Sequence, residues 1–342
     1  MLRAGLVMSD EPRDLGELSN DVKASWQRFL DVFEPLRPEL YRYCRYLTRS
    51  PWDAEDLVQD TMARGFVTLG TLFHELPNPR AWLFRVASNL WIDRARRQRL
   101  ERDALGEPAA APVAPGHAPD ERASREAAGT LVAHLSPQER AAVVLKDVFD
   151  FSLEEVAASL STSVGAVKAA LHRGRGKLVA PEADEPRAPA PGVLDAFCAA
   201  FNARDLPALT SLLLDSSITE IVGVVTEYGR EPPADPRTGS FVGSLSPITT
   251  TDAGGVDARH LVGYLGGPPR CEVREHRGEL LLLFWFDHDT GPAVRTVWTV
   301  ETDGEHIARI RNYFFTPDVI AEICRELDVP FRTNGYRYWI HG

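Results

Sequence analysis

The sequence predicts a multidomain chain: two small all-α modules followed by an α+β cone or open barrel. Three observations carry this. Two low-complexity stretches, 103–120 (DALGEPAAAPVAPGHAPD) and 181–192 (PEADEPRAPAPG), interrupt the chain. They are rich in Ala, Pro and Gly, so they cannot bury enough surface to offset their ordering entropy and read as linkers. Before and between them, apolar residues recur at spacings of three and four, the helical period. After the second linker, apolar runs alternate every two residues, the period of a strand. The modules are therefore 25–102, 121–180 and 193–342, a division that 342 residues can support.

In the first module, Ser50-Pro51-Trp52-Asp53 opens a helix: a Ser cap, Pro at the first helical position and a carboxylate in the first turn. Leu57, Val58, Met62, Phe66 and Leu69 form its apolar stripe. A second helix runs over about 80–102, with Leu83, Val86, Ala87 and Leu90 inward and Arg85, Asn89, Asp93 and Arg96 on the other face. In the second module, Ser136-Pro137-Gln138-Glu139 and Ser152-Leu153-Glu154-Glu155 are capping boxes. They predict helices at about 137–149 and 152–160. A break at Leu160–Ser163 and a basic helix at about 164–178 complete a helix-turn-helix pattern.

The third module begins with an amphipathic helix over Val193–Leu214, interrupted at Asp205-Leu206-Pro207. Strands are expected at Ile218–Val225, Leu280–Phe286, Val294–Val300 and Ile307–Phe315. Thr302-Asp303-Gly304 makes a turn between the last two. The Pro/Gly/Thr-rich stretch 229–259 gives no readable pattern. The tail from Thr316 to Gly342 is expected to pack on a neighbouring module.

Composition narrows the function. Apolar residues make up 44% and charged residues 25%, as in soluble globular proteins. No run approaches the roughly 18 apolar residues of a membrane span, and the N-terminal apolar run is too short for a signal peptide. Cys44, Cys198, Cys271 and Cys324 form no CxxC pair. That argues against a disulfide framework and a cysteine zinc site, and fits a reducing cytoplasm. The net charge of −11 is the wrong sign for coating nucleic acid along the whole chain, yet acid and base are segregated.

Three clusters carry that segregation. Asp53, Asp56 and Asp60 share one helix face with Gln59 beside them, a patch suited to a basic protein surface. The plainer alternative is a solvated face that favours the helix N-terminus. Residues 80–102 hold seven arginines, whose planar forks suit phosphates. Trp82 and Trp91 lie among them and could stack on unpaired bases, as melted DNA offers, or could belong to the core. An RNA-binding helix is the other possibility. The helix from Val164 carries Lys168, His172, Arg173, Arg175 and Lys177 without an acid, as a major-groove helix would. A surface helix of a small bundle is its alternative.

The order of these features carries a resemblance. Asp53-Ala54-Glu55-Asp56-Leu57-Val58-Gln59-Asp60 with Pro79-Arg80-Ala81-Trp82-Leu83-Phe84-Arg85-Val86-Ala87-Ser88-Asn89 resembles region 2 of bacterial extracytoplasmic-function (ECF) sigma factors. Leu135-Ser136-Pro137-Gln138-Glu139-Arg140, Leu153-Glu154-Glu155-Val156-Ala157 and Ser163 to Arg175 resemble their region 4. Phe197-Cys198-Ala199-Ala200-Phe201-Asn202 with Arg309-Ile310-Arg311-Asn312-Tyr313-Phe314-Phe315 resembles, more loosely, the SnoaL-like branch of the NTF2-like cone.

The resemblance implies a cytoplasmic sigma factor that binds core RNA polymerase and directs promoter-specific initiation. Asp53, Asp56, Gln59 and Asp60 would dock on polymerase, whose β and β′ subunits are the expected partners. Arg80, Trp82, Arg85, Asn89, Arg96 and Arg97 would handle the melted −10 element, with the loop at Leu76–Pro79. Ser163, Lys168, His172, Arg173 and Arg175 would bind the −35 duplex. The family commonly has a hydroxyl residue where this chain has Ala166, and a small residue plus Arg at Ala169-Ala170, which weakens any base-specific reading there. The resemblance implies no cofactor, no metal, no catalytic residue and no membrane contact. The cone would modulate the sigma modules in cis, with a small ligand in its cavity as a further expectation.

Two rivals remain at this point: a helix-turn-helix regulator with a ligand-binding domain, and a SnoaL-like enzyme fused to a DNA-binding head. For the enzyme, the acid–base candidates are Glu220, Glu227, His276, Asp287, His288 and Asp289. The run 287–292 reads more simply as a hairpin turn.

Overall fold

The structure, a computed structural model, describes residues 15–70, 76, 78–105, 135–177, 192–229, 269–303 and 306–336. Most of both expected linkers and the stretch 230–259 lie outside the described residues. The chain divides into two compact units. The described residues of the first lie within 1–47, 56–111 and 135–177, and those of the second within 48–55 and 178–342.

The helical unit opens with α1 (Leu15–Phe33), a 3-10 turn (Glu34–Leu36) and α2 (Arg37–Thr48). The expected α3 (Pro51–Leu69) and α4 (Pro79–Leu105) follow. α1 and α2 were not among the expected helices. Trp26 of α1 meets Phe66 of α3 at 5.1 Å between ring centroids, and Phe33 meets Trp82 of α4 at 5.7 Å. Tyr43 of α2 stacks on Phe84 of α4 at 4.9 Å, and its hydroxyl shares a 2.7 Å hydrogen bond with Ser88. That bond satisfies a polar group that burial would otherwise penalise.

The helix-turn-helix follows as α5 (Pro137–Val143), a π-turn (Val144–Val148), α6 (Leu153–Ser159) and α7 (Val164–Arg175). Ser136 and Ser152 form the two expected capping boxes, and Ser163 caps α7 by accepting from the Ala166 N–H. The break between α6 and α7 uses the left-handed Ser161 (φ 49°). Gly174 lets α7 approach α5: a Cβ there would meet Val143 Cγ2 at 2.9 Å.

These helices pack on the first four. Phe149 lies edge-on to Phe84 at 5.3 Å, and Phe151 stacks on the same ring at 5.3 Å. The two helical modules thus share one aromatic core.

In the α+β unit, the expected interrupted helix is α8 (Val193–Ala203) and α9 (Leu206–Ser211). Arg204 adopts a left-handed conformation between them, at φ 62°. Six strands follow, β1 (Leu213–Ile221), β2 (Val225–Tyr228), β3 (Arg270–His276), β4 (Glu279–Phe286), β5 (Ala293–Asp303) and β6 (His306–Asn312), in one mixed sheet of order β2-β1-β6-β5-β4-β3. β1 (Leu213–Ile221) runs parallel to β6 (His306–Asn312), and all other neighbours are antiparallel.

β4 (Glu279–Phe286) and β5 (Ala293–Asp303) match expected strands. The expected strand 218–225 is instead β1, a turn at 222–224 with Gly223 at φ 82°, and β2 (Val225–Tyr228). β3 (Arg270–His276) was not expected. Its charged residues Arg270, Glu272, Arg274 and Glu275 mask the alternation, as is common on an edge strand.

α8 covers one sheet face. There Phe197, Phe201, Phe284 and Trp298 form one cluster, the last two with centroids 4.2 Å apart. α10 (Pro317–Glu326) packs on β5. The described part of the tail, up to Tyr336, packs on its own sheet, where a neighbouring module was expected. Phe331 forms a parallel bridge with Val294, and Asn334 donates to the carbonyls of Arg295 and Phe314. The last six residues, 337–342, lie outside the described residues.

Candidate nucleic-acid interface

The basic helix α7 is divided by its partners. On one face Lys168, His172 and Arg175, at spacings of four and three, line an open cleft of about 380 Å³. Leu171 of the same helix, Lys146 from the π-turn and Leu153 from the start of α6 complete it. Lys168 and His172 are exposed. Arg175 makes a two-pronged pair with Asp147, at 2.9 and 2.5 Å.

On the other face Arg173 and Lys177 are held by Glu139 of α5, at 3.0 and 2.8 Å. Glu139 is buried, which opposes its charge. Hydrogen bonds from Lys177, Arg173 and Ser136 outweigh that and hold its carboxyl down to about 2. Arg173 is thus tied to α5 while its side chain stays 58% exposed next to His172. Ser163, expected at the −35 duplex, serves as the helix cap. Lys146 escaped the sequence reading because it lies outside α7, and the π-turn that aims it has no sequence signature.

On α4, Asn78 caps the helix by accepting from the Ala81 N–H at 3.0 Å, and Pro79 follows at the first position. Arg85, Arg96 and Arg97 are exposed and Asn89 is half-buried. Arg96 lies 3.8 Å from Asp93. Trp82 is half-buried against α1 and α3, within reach of Phe33 and of the space over Gly65. The ring thus packs on the core in part and keeps area on which a base could stack.

Arg80 forms a two-pronged pair with Glu39 of α2, at 2.8 and 2.5 Å. Its guanidinium lies 4.5 Å from the centre of the Phe151 ring and 5.2 Å from that of Phe84. The Arg80 hydrogen bond holds the Glu39 carboxyl below its ordinary value.

On α3, Asp53 and Asp60 are exposed, and Asp56 and Gln59 are half-buried. Asp60 accepts from Arg94 of α4 at 2.6 Å. The acidic helix is thus tied directly to the arginine helix.

The acid–base candidates of the third module are mostly committed elsewhere. Glu220 pairs with Arg311 at 2.9 Å, and His276 bonds to Glu326 at 2.5 Å. Asp287 and Asp289 are exposed in the expected β4–β5 turn, where Gly291 has φ 107°. Burial and the nearby Arg332 and Arg295 lower the His288 pKa. The side chain of Glu227 lies outside the described residues. Phe197, Phe201, Phe284 and Trp298 pack into one cluster, and nothing among the described residues marks a site for the small ligand that was expected. Among the described residues no group of His, Cys, Asp and Glu could hold a metal ion, and no helix is long and apolar enough to cross a membrane.

Comparisons with known proteins bear on these interfaces. The profile of Sigma-70 region 2 matches residues 32–101, and that of Sigma-70, region 4 matches residues 125–178. The chain is 33% identical over 249 residues to the ECF RNA polymerase sigma factor SigG of Mycobacterium tuberculosis. That match covers 63% of this chain and 64% of SigG, just under two thirds of the relative's length. It is 33% identical over 139 residues to the RNA polymerase sigma-E factor of Streptomyces coelicolor, covering 41% of this chain and 77% of that protein. The α+β region is similar to an NTF2-like protein from Cytophaga hutchinsonii, at 10% identity and a TM-score of 0.22. That alignment covers 35% of this chain and 85% of the other.

Proposed function

Because the chain belongs to the ECF sigma factors of RNA polymerase, we propose that it binds core polymerase in the cytoplasm and directs it to a specific promoter. Sigma factors are not enzymes, so the chemistry of transcription belongs to the polymerase. The match to region 2 tells against the plain helix-turn-helix regulator, which needs no such module.

The observation that carries the reading is the two-sided basic helix. α7 leaves Lys168 and His172 exposed while Glu139 holds Arg173 and Lys177. A major-groove helix needs that arrangement: one face for duplex DNA, the other anchored in the domain. We assign −35 binding to Lys168 and His172, with Lys146 and Arg175 as phosphate contacts at the rim. Arg80, Trp82, Arg85, Asn89, Arg96 and Arg97 serve the −10 element. Asp53, Asp56, Gln59 and Asp60 form the polymerase contact, on the β′ side. The C-terminal α+β domain modulates initiation in cis.

Run-off transcription with core polymerase tests the whole reading: start sites should depend on this protein, and their absence overturns it. Asp56→Arg with Gln59→Ala should weaken co-purification with polymerase by roughly tenfold, about 1.4 kcal/mol, with an unchanged circular dichroism spectrum. Wild-type retention of polymerase would remove the role given to α3. Lys168→Ala with His172→Ala should reduce affinity for −35 duplex and lower its salt slope by about one, the share of the Lys168 cation. An unchanged slope would move DNA binding off this face. Removing residues 193–342 should change transcript yield; an equal yield would make that domain a passenger.

A further inference from the structure

The α+β unit holds a reactive pair that the proposed function does not use. Cys198 lies on α8 and Cys271 is the second residue of β3. They are 73 residues apart in sequence, yet their sulfurs lie 3.2 Å from each other. Both are free thiols and both are buried, Cys198 at 9% exposure and Cys271 at 3%. The elements that carry them are fastened together around the pair. The Asn202 side chain accepts from the Cys271 N–H at 2.7 Å and donates to the Cys271 carbonyl at 2.8 Å. Arg204 donates to the Pro269 carbonyl at 2.6 Å. A disulfide needs sulfurs about 2.0 Å apart, so closure requires a movement of only about 1.2 Å, within a backbone frame that is already fixed.

We propose that Cys198 and Cys271 are a peroxide-oxidisable dithiol that closes reversibly to a disulfide tying α8 to the edge strand β3. Burial selects the oxidant. A pair this enclosed is closed to bulky disulfides, whereas hydrogen peroxide is little larger than water. β3 is hydrogen-bonded to β4 on one side and, among the described residues, forms the sheet edge on the other, so local opening there exposes the pair. The roles divide by position. Cys198 is the more exposed sulfur and meets peroxide first. Burial pushes the Cys271 thiol well up, which keeps it protonated and unsuited to the first attack.

The chemistry balances. The Cys198 thiolate attacks one peroxide oxygen, the O–O bond breaks, and hydroxide leaves and takes up the Cys198 proton as water. Cys198 is then a sulfenic acid. The Cys271 sulfur attacks the Cys198 sulfur, the S–O bond breaks, and the departing oxygen carries off the Cys271 proton as a second water. Two thiols have lost two electrons, and one peroxide has become two waters.

The test uses the full-length folded protein treated with hydrogen peroxide, alkylated without reductant, digested and mapped by mass. The expected product is one cross-linked pair joining the Cys198 and Cys271 peptides, about 2 Da lighter than the two reduced peptides and separated again by dithiothreitol. Cys44 and Cys324 should remain alkylated in that sample. In Cys271→Ser, Cys198 should pass instead to the sulfinic acid, because no partner captures the sulfenic acid. The proposal is overturned if both thiols of the wild-type protein remain free at peroxide concentrations that oxidise a model thiol. A sulfinic acid on wild-type Cys198 without a cross-link overturns it equally. The wild-type map decides the matter even if the variant does not fold, and neither result depends on polymerase binding.

Discussion

Glu139→Ala is expected to destabilise the helix-turn-helix by about 3 kcal/mol at neutral pH. The side chain does three things at once: its oxygens accept from the Ser136 N–H, from Arg173 and from Lys177. Removing it takes away the reciprocal half of the α5 capping box, leaves the Ser136 cap in place, and releases Arg173 and Lys177 at the α5–α7 crossing, where Gly174 allows a close approach. The pH dependence has a definite sign. The folded-state pKa of about 2 lies below the unfolded value, so the stabilisation is complete above about pH 4.5 and is lost as pH falls toward 2. Urea denaturation at pH 7 and pH 3, followed by circular dichroism, should show a wild-type–variant gap that narrows in acid. Glu139→Gln should fall between the two, since it keeps a capping acceptor and loses the charge. A gap of the same size at both pH values would mean that the ion pairs contribute nothing and the cap accounts for the whole effect.

The same residue shows how far the sequence could be read. The capping boxes at Ser136 and Ser152 and the cap at Ser163 are set by residues three apart, so they were legible and the helices begin where expected. The cations of α7 were legible as a run. Their division into a DNA-facing set and an anchoring set was not, because it depends on a carboxylate 34 and 38 residues upstream. Ion pairing at that range is a product of the packed fold, and no helical period encodes it.

The sheet shows the same limit. β4 reads as a continuous apolar run because residues of both its faces are buried, Leu282, Phe284 and Phe286 alternating with Leu281 and Leu283. β3, with four charged residues among seven, carries no such signal and is specified by its pairing with β4. The π-turn that brings Lys146 into the cleft lies inside what reads as one helix, and only its hydrogen bonding reveals it. At Trp82 the sequence left the core and the DNA as alternatives, and a half-buried ring packed against Phe33 and Gly65 is compatible with both.

Arg80→Ala and Glu39→Gln are expected to act alike on stability and oppositely on DNA. In the free protein the Arg80 guanidinium is occupied by Glu39 and covered by the rings of Phe84 and Phe151, the second of which comes from the helix-turn-helix module. Breaking this charge-assisted pair from either side should cost the helical unit about 2 kcal/mol. It should also raise hydrogen exchange in residues 149–160, which pack on α4 through Phe149 and Phe151.

Binding separates the two variants. If Arg80 contacts the −10 strand, it must first leave Glu39, and that release reduces the apparent affinity. Arg80→Ala deletes the contact and should weaken binding to single-stranded −10 DNA by roughly tenfold. Glu39→Gln frees the guanidinium and removes a nearby negative charge, so it should strengthen binding by roughly threefold or more. Arg80→Lys should resemble the alanine variant in stability, because an ammonium cannot reproduce the two-pronged pair, while retaining much of the phosphate affinity. Should both Glu39→Gln and Arg80→Ala weaken DNA binding, Arg80 would be a joint between the two helical modules, and the −10 contact would rest on Trp82, Arg85, Asn89, Arg96 and Arg97 alone.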